Sequence, residues 1–252
     1  EIIVGTQKLL TDKKIRLENA EQKMIKLEDM GKTVMIVAYN KVTIALIAVA
    51  DVVKDSSKPA IFKLHEMGIK TAIITGDNER VGSAVAKKLG IDLVFAQILP
   101  SEKAGIIKKL QNSEIENLKL NENWKLKIGN LTNTKVAFVG DGVNDAPAIA
   151  QANLGIAMRS GSDIALETGE IVLMRNDVGD VVEAIRLSSY TLKKIKQNLF
   201  WAFIYNIVGI PVAAGILFPL TGLLLNPMIA AGAMAFSSVS VVTNSLLMKR
   251  YR

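Results

Sequence analysis

Short apolar runs alternate with segments of helical periodicity along most of the chain. Near its start, the pattern predicts a strand at Ile2–Val4, a charged helix at Lys13–Met30, and strands at Thr33–Tyr39 and Val42–Ala50. Asn40-Lys41 forms a two-residue turn between the last two strands, which therefore make a hairpin. We interpret residues 1–50 as the end of a domain.

From Asp51 onward, helices and short apolar strands alternate regularly. This order is typical of an α/β fold with a doubly wound parallel sheet and helices on both faces. Ligands of such folds bind beyond the C-terminal ends of the strands. The predicted helices cover 57–67, 79–89, 101–110, 144–151 and 162–168, and the predicted strands cover 71–74, 93–95, 136–139, 154–157 and 171–173.

Two stretches depart from this alternation. Residues 111–134 are rich in Asn and Lys and separate a helix from a strand that a few residues could join, which predicts a surface insertion. From Gln197 to Met248 there is no charged side chain, and this length suits two membrane spans, predicted over 199–220 and 225–247. Basic residues flank both ends, which are therefore expected on the cytoplasmic side. A buried helical hairpin of a soluble protein is the alternative.

Composition narrows the class of protein further. Because the chain has no cysteine, it contains neither disulfides nor a thiolate metal site. The net charge of +7 comes from lysines spread over helices without interleaved aromatic residues, which argues against nucleic-acid binding. It favours a basic surface that faces an anionic membrane leaflet. The sequence begins with Glu1 in mid-strand, and we expect a piece of a longer protein.

Residues 140–147, Gly-Asp-Gly-Val-Asn-Asp-Ala-Pro, carry the most informative chemistry. They follow the apolar run 136–139, so that a buried strand delivers Asp141 and Asp145 to its C-terminal end. Carboxylates beside the backbone N–H groups of a glycine-rich turn suit Mg²⁺ and a phosphoryl group. An acidic turn that caps a helix at 144–146 is the simpler alternative. Such a turn does not need two glycines, two carboxylates and a proline at fixed spacing.

Two other loops supply partners for these carboxylates. Thr75, in Thr-Gly-Asp-Asn, offers a hydroxyl after a strand, and Lys103, in Leu-Pro-Ser-Glu-Lys, offers a cation before a helix. A hydroxyl, a cation and Mg²⁺ ligands around one pocket form a phosphoryl-transfer set. His65 is the only histidine, and we interpret it as a surface residue of a helix with no functional role.

The charge-free segment contains two polar pairs. Tyr205-Asn206 lies near the middle of the first predicted span, where polar groups are costly unless they face protein or a ligand. Met234 and Ser238 are four residues apart, on one face of the second predicted span. A thioether is a ligand suited to Cu(I), and hydroxyl and amide oxygens can complete its coordination. From Met234 and Ser238 alone, ordinary helix packing is the favoured explanation.

These motifs match those of the haloacid dehalogenase superfamily, and the chain resembles P-type ATPases of the heavy-metal branch. The resemblance is carried by residues 75–78, 99–103 and 140–147 and by Ala-Gln-Ala-Asn-Leu-Gly-Ile-Ala at 150–157. It implies an ATP-driven cation pump with an aspartyl-phosphate intermediate. The nucleophile of that superfamily is a separate Asp. No Asp-Lys-Thr-Gly-Thr-type segment occurs here, and we expect the nucleophile upstream of Glu1.

The resemblance implies roles for individual residues of the catalytic loops. Asp141 and Asp145 would hold Mg²⁺, and Asn144 would order their loop. Thr75 and Lys103 would contact the phosphoryl group.

The resemblance also assigns nucleotide-site and copper-site residues. Gly76 and Asp77 would shape the loop after Thr75, and Gly5 would lie near the adenine of ATP. Copper(I) pumps carry Tyr-Asn and Met-x-x-x-Ser in their last two membrane helices. The matching residues, implied as Cu(I) ligands, are Tyr205, Asn206, Met234 and Ser238.

We therefore predict the C-terminal part of a copper(I)-exporting P-type ATPase of a cell membrane. It would comprise the end of a nucleotide-binding domain at 1–50, a phosphorylation domain at 51–190 and two membrane helices within 191–252. Its expected partners are the lipid bilayer, the copper ion, the upstream remainder of the pump and, as a candidate, a copper chaperone. The alternatives are a membrane-anchored haloacid dehalogenase-type phosphatase acting on a small phosphate ester, and a non-catalytic fragment. By itself, the chain is expected not to pump.

Overall fold

The computed structural model describes residues 1–17, 20–112, 134–141, 143–159, 163–216, 218–222 and 227–250. The chain divides into two compact units, Glu1–Val182 and Glu183–Arg252. Nearly all of the predicted insertion at 111–134, and the start of the second predicted span at 225–247, lie outside the described residues.

The first unit begins with a three-stranded antiparallel sheet and two helices. The strands β1 (Ile2–Gly5), β2 (Thr33–Tyr39) and β3 (Val42–Val49) lie in the order β1-β2-β3, and the helices are α1 (Gln7–Asp12) and α2 (Ala20–Asp29). Buried and exposed residues alternate along β2, which shows that one face of this strand is buried against the helices. The core of this part consists of Leu10, Ile15, Met24, Val34, Ile36 and Ala38.

The prediction of a single helix over Lys13–Met30 is wrong. Lys14 has a left-handed φ of 57°, Ile15 is buried, and Arg16 forms a parallel bridge with Val42. The chain turns here because burial of Ile15 and pairing of Arg16 with the sheet outweigh the helical preference of the charged residues around them. The result is two shorter helices on either side of the turn.

The α/β organisation with parallel strands is confirmed in the rest of this unit. β4 (Ala72–Ile74) pairs with β5 (Leu93–Phe95), and β6 (Ala137–Gly140), β7 (Leu154–Met158) and β8 (Ile171–Leu173) form a second parallel sheet. The single predicted sheet is thus two sheets, since β4 and β6 each have one partner among the described strands. The helices of this part are α3 (Ser57–Glu66), α4 (Glu79–Leu89), α5 (Lys103–Gln111), α6 (Ala146–Gln151) and α7 (Asp163–Thr168).

Three further helices complete the chain: α8 (Gly179–Ala213), α9 (Phe218–Thr221) and α10 (Pro227–Leu246), the last followed by a 3-10 turn at Leu247–Arg250. The basic segment 181–197 and the start of the charge-free segment lie in one continuous helix, α8. The span predicted over 199–220 is not one helix, because α8 ends soon after Pro211 and Gly215 has a φ of 86°. No helix in the described part of the chain is both long and apolar enough to cross a membrane.

Candidate functional site: two loops at the C-terminal ends of parallel strands

The loop after β4 is organised around the carboxylate of Asp77. Thr75 Oγ1 donates to Asp77 Oδ2 at 2.8 Å, and the Asp77 N–H donates back to Thr75 Oγ1 at 3.1 Å. Thr33 Oγ1, at the start of β2, donates to Asp77 Oδ1 at 3.0 Å. Asn78 then caps α4, because its Oδ1 accepts a hydrogen bond from the Val81 N–H at 3.0 Å. The loop is therefore held by side chains on both sides of Gly76.

Glycine lets α4 lie close to this loop. A Cβ on Gly82 would lie 3.1 Å from Val94 Cγ1 and 3.3 Å from Thr75 Cγ2, tighter than ordinary packing. Gly76 is different, since a Cβ there would meet Ile98 O at 3.7 Å, an ordinary van der Waals contact. The protein's own packing therefore favours glycine at position 82, where a Cβ would displace its neighbours slightly, and does not require it at position 76.

The loop after β6 is organised around Asp145. Lys103 Nζ donates to Asp145 Oδ1 at 2.6 Å, and the Asp141 N–H lies 3.4 Å from Asp145 Oδ2. Only 17% of the Lys103 side chain and 13% of the Asp145 side chain are exposed, so water screens their attraction weakly. Gly140 is required here, because a Cβ would lie 2.7 Å from Asp145 Cβ. The result is a partly buried ion pair at the end of a buried strand.

Asp141 and Asn144 are both exposed at this strand end, Asn144 in a 3-10 turn at Val143–Asp145. Gly142, between them, lies outside the described residues. The helix predicted over 144–151 is instead this 3-10 turn followed by α6. The Asp141 side chain is thus open to solvent rather than part of the core.

The chain segment after β5 is hydrogen-bonded to the loop after β4 and then leads to Lys103. The Ile98 N–H donates to Thr75 O at 3.0 Å, and the Gln97 N–H donates to Asp77 O at 2.8 Å. A short 3-10 turn at Pro100–Glu102 follows and leads into Lys103, the partner of Asp145. The structure thus records direct side-chain bonds within each loop, and the chain segment 97–103 links one loop to the other.

The donor set is compatible with Mg²⁺ bound together with a phosphate. Mg²⁺ commonly takes one or two carboxylates and completes its octahedron with waters and phosphate oxygens. Asp141 and Asp145 supply two carboxylates beside a glycine-rich turn. Within the described ranges, no three His, Cys, Asp or Glu side chains cluster closely enough to hold a metal by themselves. The residues therefore fit a metal that is shared with a substrate.

Sequence reasoning missed Glu28, a buried carboxylate beside the loop after β4. Glu28 is 6% exposed, and Asn78 Nδ2 donates to its Oε1 at 2.6 Å. A cavity of about 560 Å³ lies next to this pair and is also lined by Arg80, Lys87 and Gln97. The charged residues that line this cavity come from α2 and α4, which are far apart in the sequence, so no local pattern indicates that they lie together.

Gly5 ends β1, and a Cβ there would overlap the side chain of Leu9 in α1. The end of the Leu9 side chain would have to shift to accept a Cβ, and the predicted place of Gly5 near adenine stays a prediction.

His65 lies in helix α3, as predicted, but its side chain is half-buried and has partners. His65 Nε2 lies 2.9 Å from Thr71 Oγ1 and 2.9 Å from Asp92 Oδ2, and the Thr71 N–H donates to Asp92 Oδ2 at 2.8 Å. Burial raises the pKa of Asp92, but the Thr71 N–H and the charges of His65 and Lys70 outweigh burial and hold that pKa below its usual value. Thr71 and Asp92 precede β4 and β5, so this cluster lies at the strand ends opposite to Thr75.

Replacing Asp92 by asparagine is expected to lower the thermal unfolding midpoint at pH 7 by about 2 to 4 °C, the equivalent of roughly 1 kcal/mol. A carboxylate with a lowered folded-state pKa stabilises the fold above its unfolded-state pKa, about 3.9, and loses this effect as the pH falls through the folded-state pKa. The difference from wild type should therefore shrink below about pH 4. Asp12→Asn, at an exposed helix end, is the control; equal effects of both changes would contradict the prediction.

In the second unit, a polar clasp joins α8 and α10. Lys194 Nζ donates to Asn244 Oδ1 at 2.8 Å, Asn244 Nδ2 donates to Asn198 Oδ1 at 2.7 Å, and Asn198 Nδ2 donates to Ser245 Oγ at 2.9 Å. The three bonds join residues 194 and 198 of α8 to residues 244 and 245 of α10. The clasp therefore fixes the register of one helix against the other.

The predicted copper ligands lie beyond this clasp. Tyr205 is half-buried with its ring centroid 6.3 Å from that of Trp201, and Asn206 Nδ2 donates to Ala202 O at 2.9 Å within its own helix. Ser238 is exposed on α10, and the side chain of Met234 lies outside what the structure describes.

Residues 1–153 match the family model described as haloacid dehalogenase-like hydrolase. The chain belongs to the haloacid dehalogenase-like hydrolase family. A second model with the same description matches residues 122–185. Membership in this family agrees with the parallel strands and with acidic loops at their C-terminal ends.

Named relatives of this haloacid dehalogenase-like chain are copper ATPases. It is 49% identical over 251 residues to the probable copper-exporting P-type ATPase of Archaeoglobus fulgidus, covering 99% of this chain and 29% of that protein. It is 45% identical over 248 residues to the probable copper-importing P-type ATPase A of Enterococcus hirae, covering 98% and 30%. The chain thus spans about three tenths of the length of these relatives.

A solved structure extends the similarity to three dimensions. The crystal structure of a zinc-transporting PIB-type ATPase in its E2.Pi state matches with a TM-score of 0.71 at 30% identity, covering 98% of this chain and 36% of that one. The resemblance of this haloacid dehalogenase-like chain to heavy-metal P-type ATPases, predicted from its motifs, is confirmed.

Proposed function

We propose that the chain is the C-terminal part of a copper(I)-translocating P-type ATPase, in which ATP hydrolysis through an aspartyl phosphate drives Cu(I) export. The observation that carries the proposal is the Lys103–Asp145 ion pair beside the exposed Asp141 at the end of β6. This arrangement gives a cation and carboxylates at one strand end, which phosphoryl transfer needs. The names of the relatives supply copper as the cargo.

In this proposal, each residue of the two loops has a separate role in phosphoryl transfer. Lys103 places positive charge where a phosphoryl group carries negative charge, and its bond to Asp145 fixes its position. Asp141 and Asp145 would hold Mg²⁺, which neutralises phosphoryl charge when it is bound. The Thr75 hydroxyl donates to Asp77 in this structure and must turn away from it to donate to a phosphoryl oxygen. Asn144 orders the turn, and Gly76 leaves room for the phosphate.

The nucleophilic Asp is proposed to lie in the remainder of the pump, on a strand between β4 and β6. Two facts support this placement. No Asp-Lys-Thr-Gly-Thr-type segment occurs in the sequence. Among the strands that the structure describes, β4 pairs only with β5 and β6 only with β7. A strand inserted there would bring its C-terminal end between the Thr75 and Asp145 loops.

The register of α8 and α10 supports a shared copper site. Asn206 lies eight residues after Asn198, which is about 12 Å along the helix at 1.5 Å per residue. Met234 and Ser238 lie ten and six residues before Asn244, about 15 Å and 9 Å along α10. In the proposed membrane hairpin, where the second helix returns along the first, the bond between Asn198 and Asn244 would bring the Tyr-Asn pair and the Met-x-x-x-Ser pair to similar depths. A simple membrane anchor does not require this match.

The remaining assignments complete the proposal. Residues 1–50 are the end of the nucleotide-binding domain, with Gly5 near adenine, 51–190 the phosphorylation domain and 191–252 two membrane helices. The charge-free segment from Gln197 to Met248 lies in the bilayer, with the basic residues at both ends on the cytoplasmic side. Transfer of copper from a chaperone belongs to the rest of the pump.

Replacing Met234 by alanine in the full-length protein is expected to raise the Cu(I) concentration for half-maximal ATPase activity about tenfold or more, because a soft sulfur ligand is lost. Phosphorylation by inorganic phosphate should stay nearly intact, since that reaction takes place at the phosphoryl-transfer site and does not use Met234. ATP turnover titrated with Cu(I) under reducing conditions measures the effect.

Met228→Ala, at an exposed position of the same helix, is the matched control. Unchanged activation of the Met234→Ala variant by copper would show that Met234 is not a copper ligand and serves only in helix packing. ATP-independent hydrolysis of a small phosphate ester, with no response to Cu(I), would favour the membrane-anchored phosphatase instead.

A further inference from the structure

Two side-chain contacts join the first part of the chain to the loop after β4. Glu28, in the last turn of α2, accepts from Asn78 Nδ2 at 2.6 Å, and Arg80 Nε lies 3.9 Å from its second oxygen. Thr33, at the start of β2, donates to Asp77 Oδ1 at 3.0 Å. Both contacts end on residues directly after Thr75-Gly76, where a phosphate is proposed to bind.

The Glu28 contact fixes the end of the loop. Asn78 is held at both ends of its side-chain amide, because its Oδ1 caps α4 while its Nδ2 donates to Glu28. Glu28 is 6% exposed, and burying its polar oxygens is costly unless they are hydrogen-bonded. The start of α4 therefore cannot shift relative to α2 without breaking a charge-assisted hydrogen bond.

The Thr33 contact acts on the carboxylate that holds the Thr75 hydroxyl. Asp77 accepts from Thr33 on Oδ1 and from Thr75 on Oδ2. A donor on Oδ1 withdraws negative charge from the carboxylate and so weakens its hold on the Thr75 proton. Without Thr33, Thr75 would stay bound to Asp77 more strongly, and its hydroxyl would be less available to a phosphoryl oxygen.

We propose that Thr33 and Glu28 are positioning residues of the phosphoryl-transfer site, Thr33 through Asp77 and Glu28 through Asn78. The inference rests on the proposed function and extends it to residues that touch no reacting atom. If the two residues act in this way, the rate of phosphorylation depends on two contacts with the loop after β4: one from the start of β2 and one from the end of α2.

The test uses the full-length protein and two substitutions at one exposed site. Thr33→Val keeps the shape of the side chain and removes the hydroxyl, whereas Thr33→Ser keeps the hydroxyl. We expect Thr33→Val to slow phosphoenzyme formation from saturating Mg-ATP about five- to tenfold, the kinetic equivalent of the net contribution of one ordinary hydrogen bond. The KM for ATP should stay within about twofold, because the nucleotide is not contacted, and Thr33→Ser should restore the rate.

Thr43→Val is the matched control, since its hydroxyl donates to Arg16 O in the same sheet, away from the loop. An equal effect of Thr33→Val and Thr43→Val, or no recovery in Thr33→Ser, overturns the inference. Glu28→Gln keeps an acceptor for Asn78 and should be faster than Glu28→Ala; equal rates would exclude Glu28 from the role. A wild-type protein that forms no phosphoenzyme from ATP overturns the proposed function, and this inference with it. Normal wild-type phosphorylation with an unaffected Thr33→Val overturns the inference alone.

Discussion

Replacing Asp141 by alanine is expected to abolish phosphoenzyme formation from Mg-ATP in the full-length protein, with a loss of about a thousandfold or more. Asp141 is exposed at the C-terminal end of β6, where the fold requires no carboxylate for its core. Asp145 cannot replace it, because Lys103 already occupies one of its oxygens. Acid-stable incorporation of phosphate from ATP, measured against Mg²⁺ concentration, is the direct readout.

Asp141→Asn separates charge from shape. The amide keeps the size of the side chain and loses its negative charge, so we expect a loss nearly as large as that of alanine. Both variants should keep the wild-type unfolding midpoint, since an exposed side chain contributes little to stability. Asp12→Ala, at another exposed aspartate, should phosphorylate normally. Normal phosphorylation of Asp141→Ala would refute its assignment to the site.

The sequence predicted the parts of this fold that local patterns determine. The strands at 93–95 and 171–173 have the predicted bounds, because apolar runs of that length between helices have few alternatives. The acidic loops at 75–78 and 140–147 follow strands as predicted, and glycine at 140 has a steric reason in its contact with Asp145. Their positions follow from chain order alone, and this made them predictable.

Features that depend on contacts between distant segments were not predictable. The turn at Lys14 exists because Ile15 packs into a core shared with β2, some twenty residues away. The partners of His65 come from Thr71 and Asp92, which only the pairing of β4 with β5 brings together. Helical periodicity contains no information on either contact, and for the same reason it could not reveal the bond between Glu28 and Asn78.

Replacing Lys103 by methionine is expected to lower both catalysis and stability, for separable reasons. Methionine fills a similar volume but leaves Asp145, 13% exposed, without its cation. A buried carboxylate that loses its partner costs about 3 kcal/mol, which should lower the unfolding midpoint by roughly 6 to 12 °C. The phosphoryl group also loses a fixed positive charge, so that phosphorylation from ATP should fall about a hundredfold or more.

The double variant Lys103→Met/Asp145→Asn distinguishes these two effects. Neutralising Asp145 removes the unpaired charge, and the unfolding midpoint should recover most of its loss because the remaining amide is far less costly to bury. Phosphorylation should not recover, since neither substitution restores a cation beside the phosphoryl group and Asp145→Asn also removes a proposed Mg²⁺ ligand. Lys108→Met, at an exposed position of the same helix α5, should change neither property. If the double variant regained phosphorylation together with stability, Lys103 would serve only to neutralise Asp145, Asp145 would not be needed as a Mg²⁺ ligand, and the charge that stabilises the phosphoryl group would have to come from another residue of the pump.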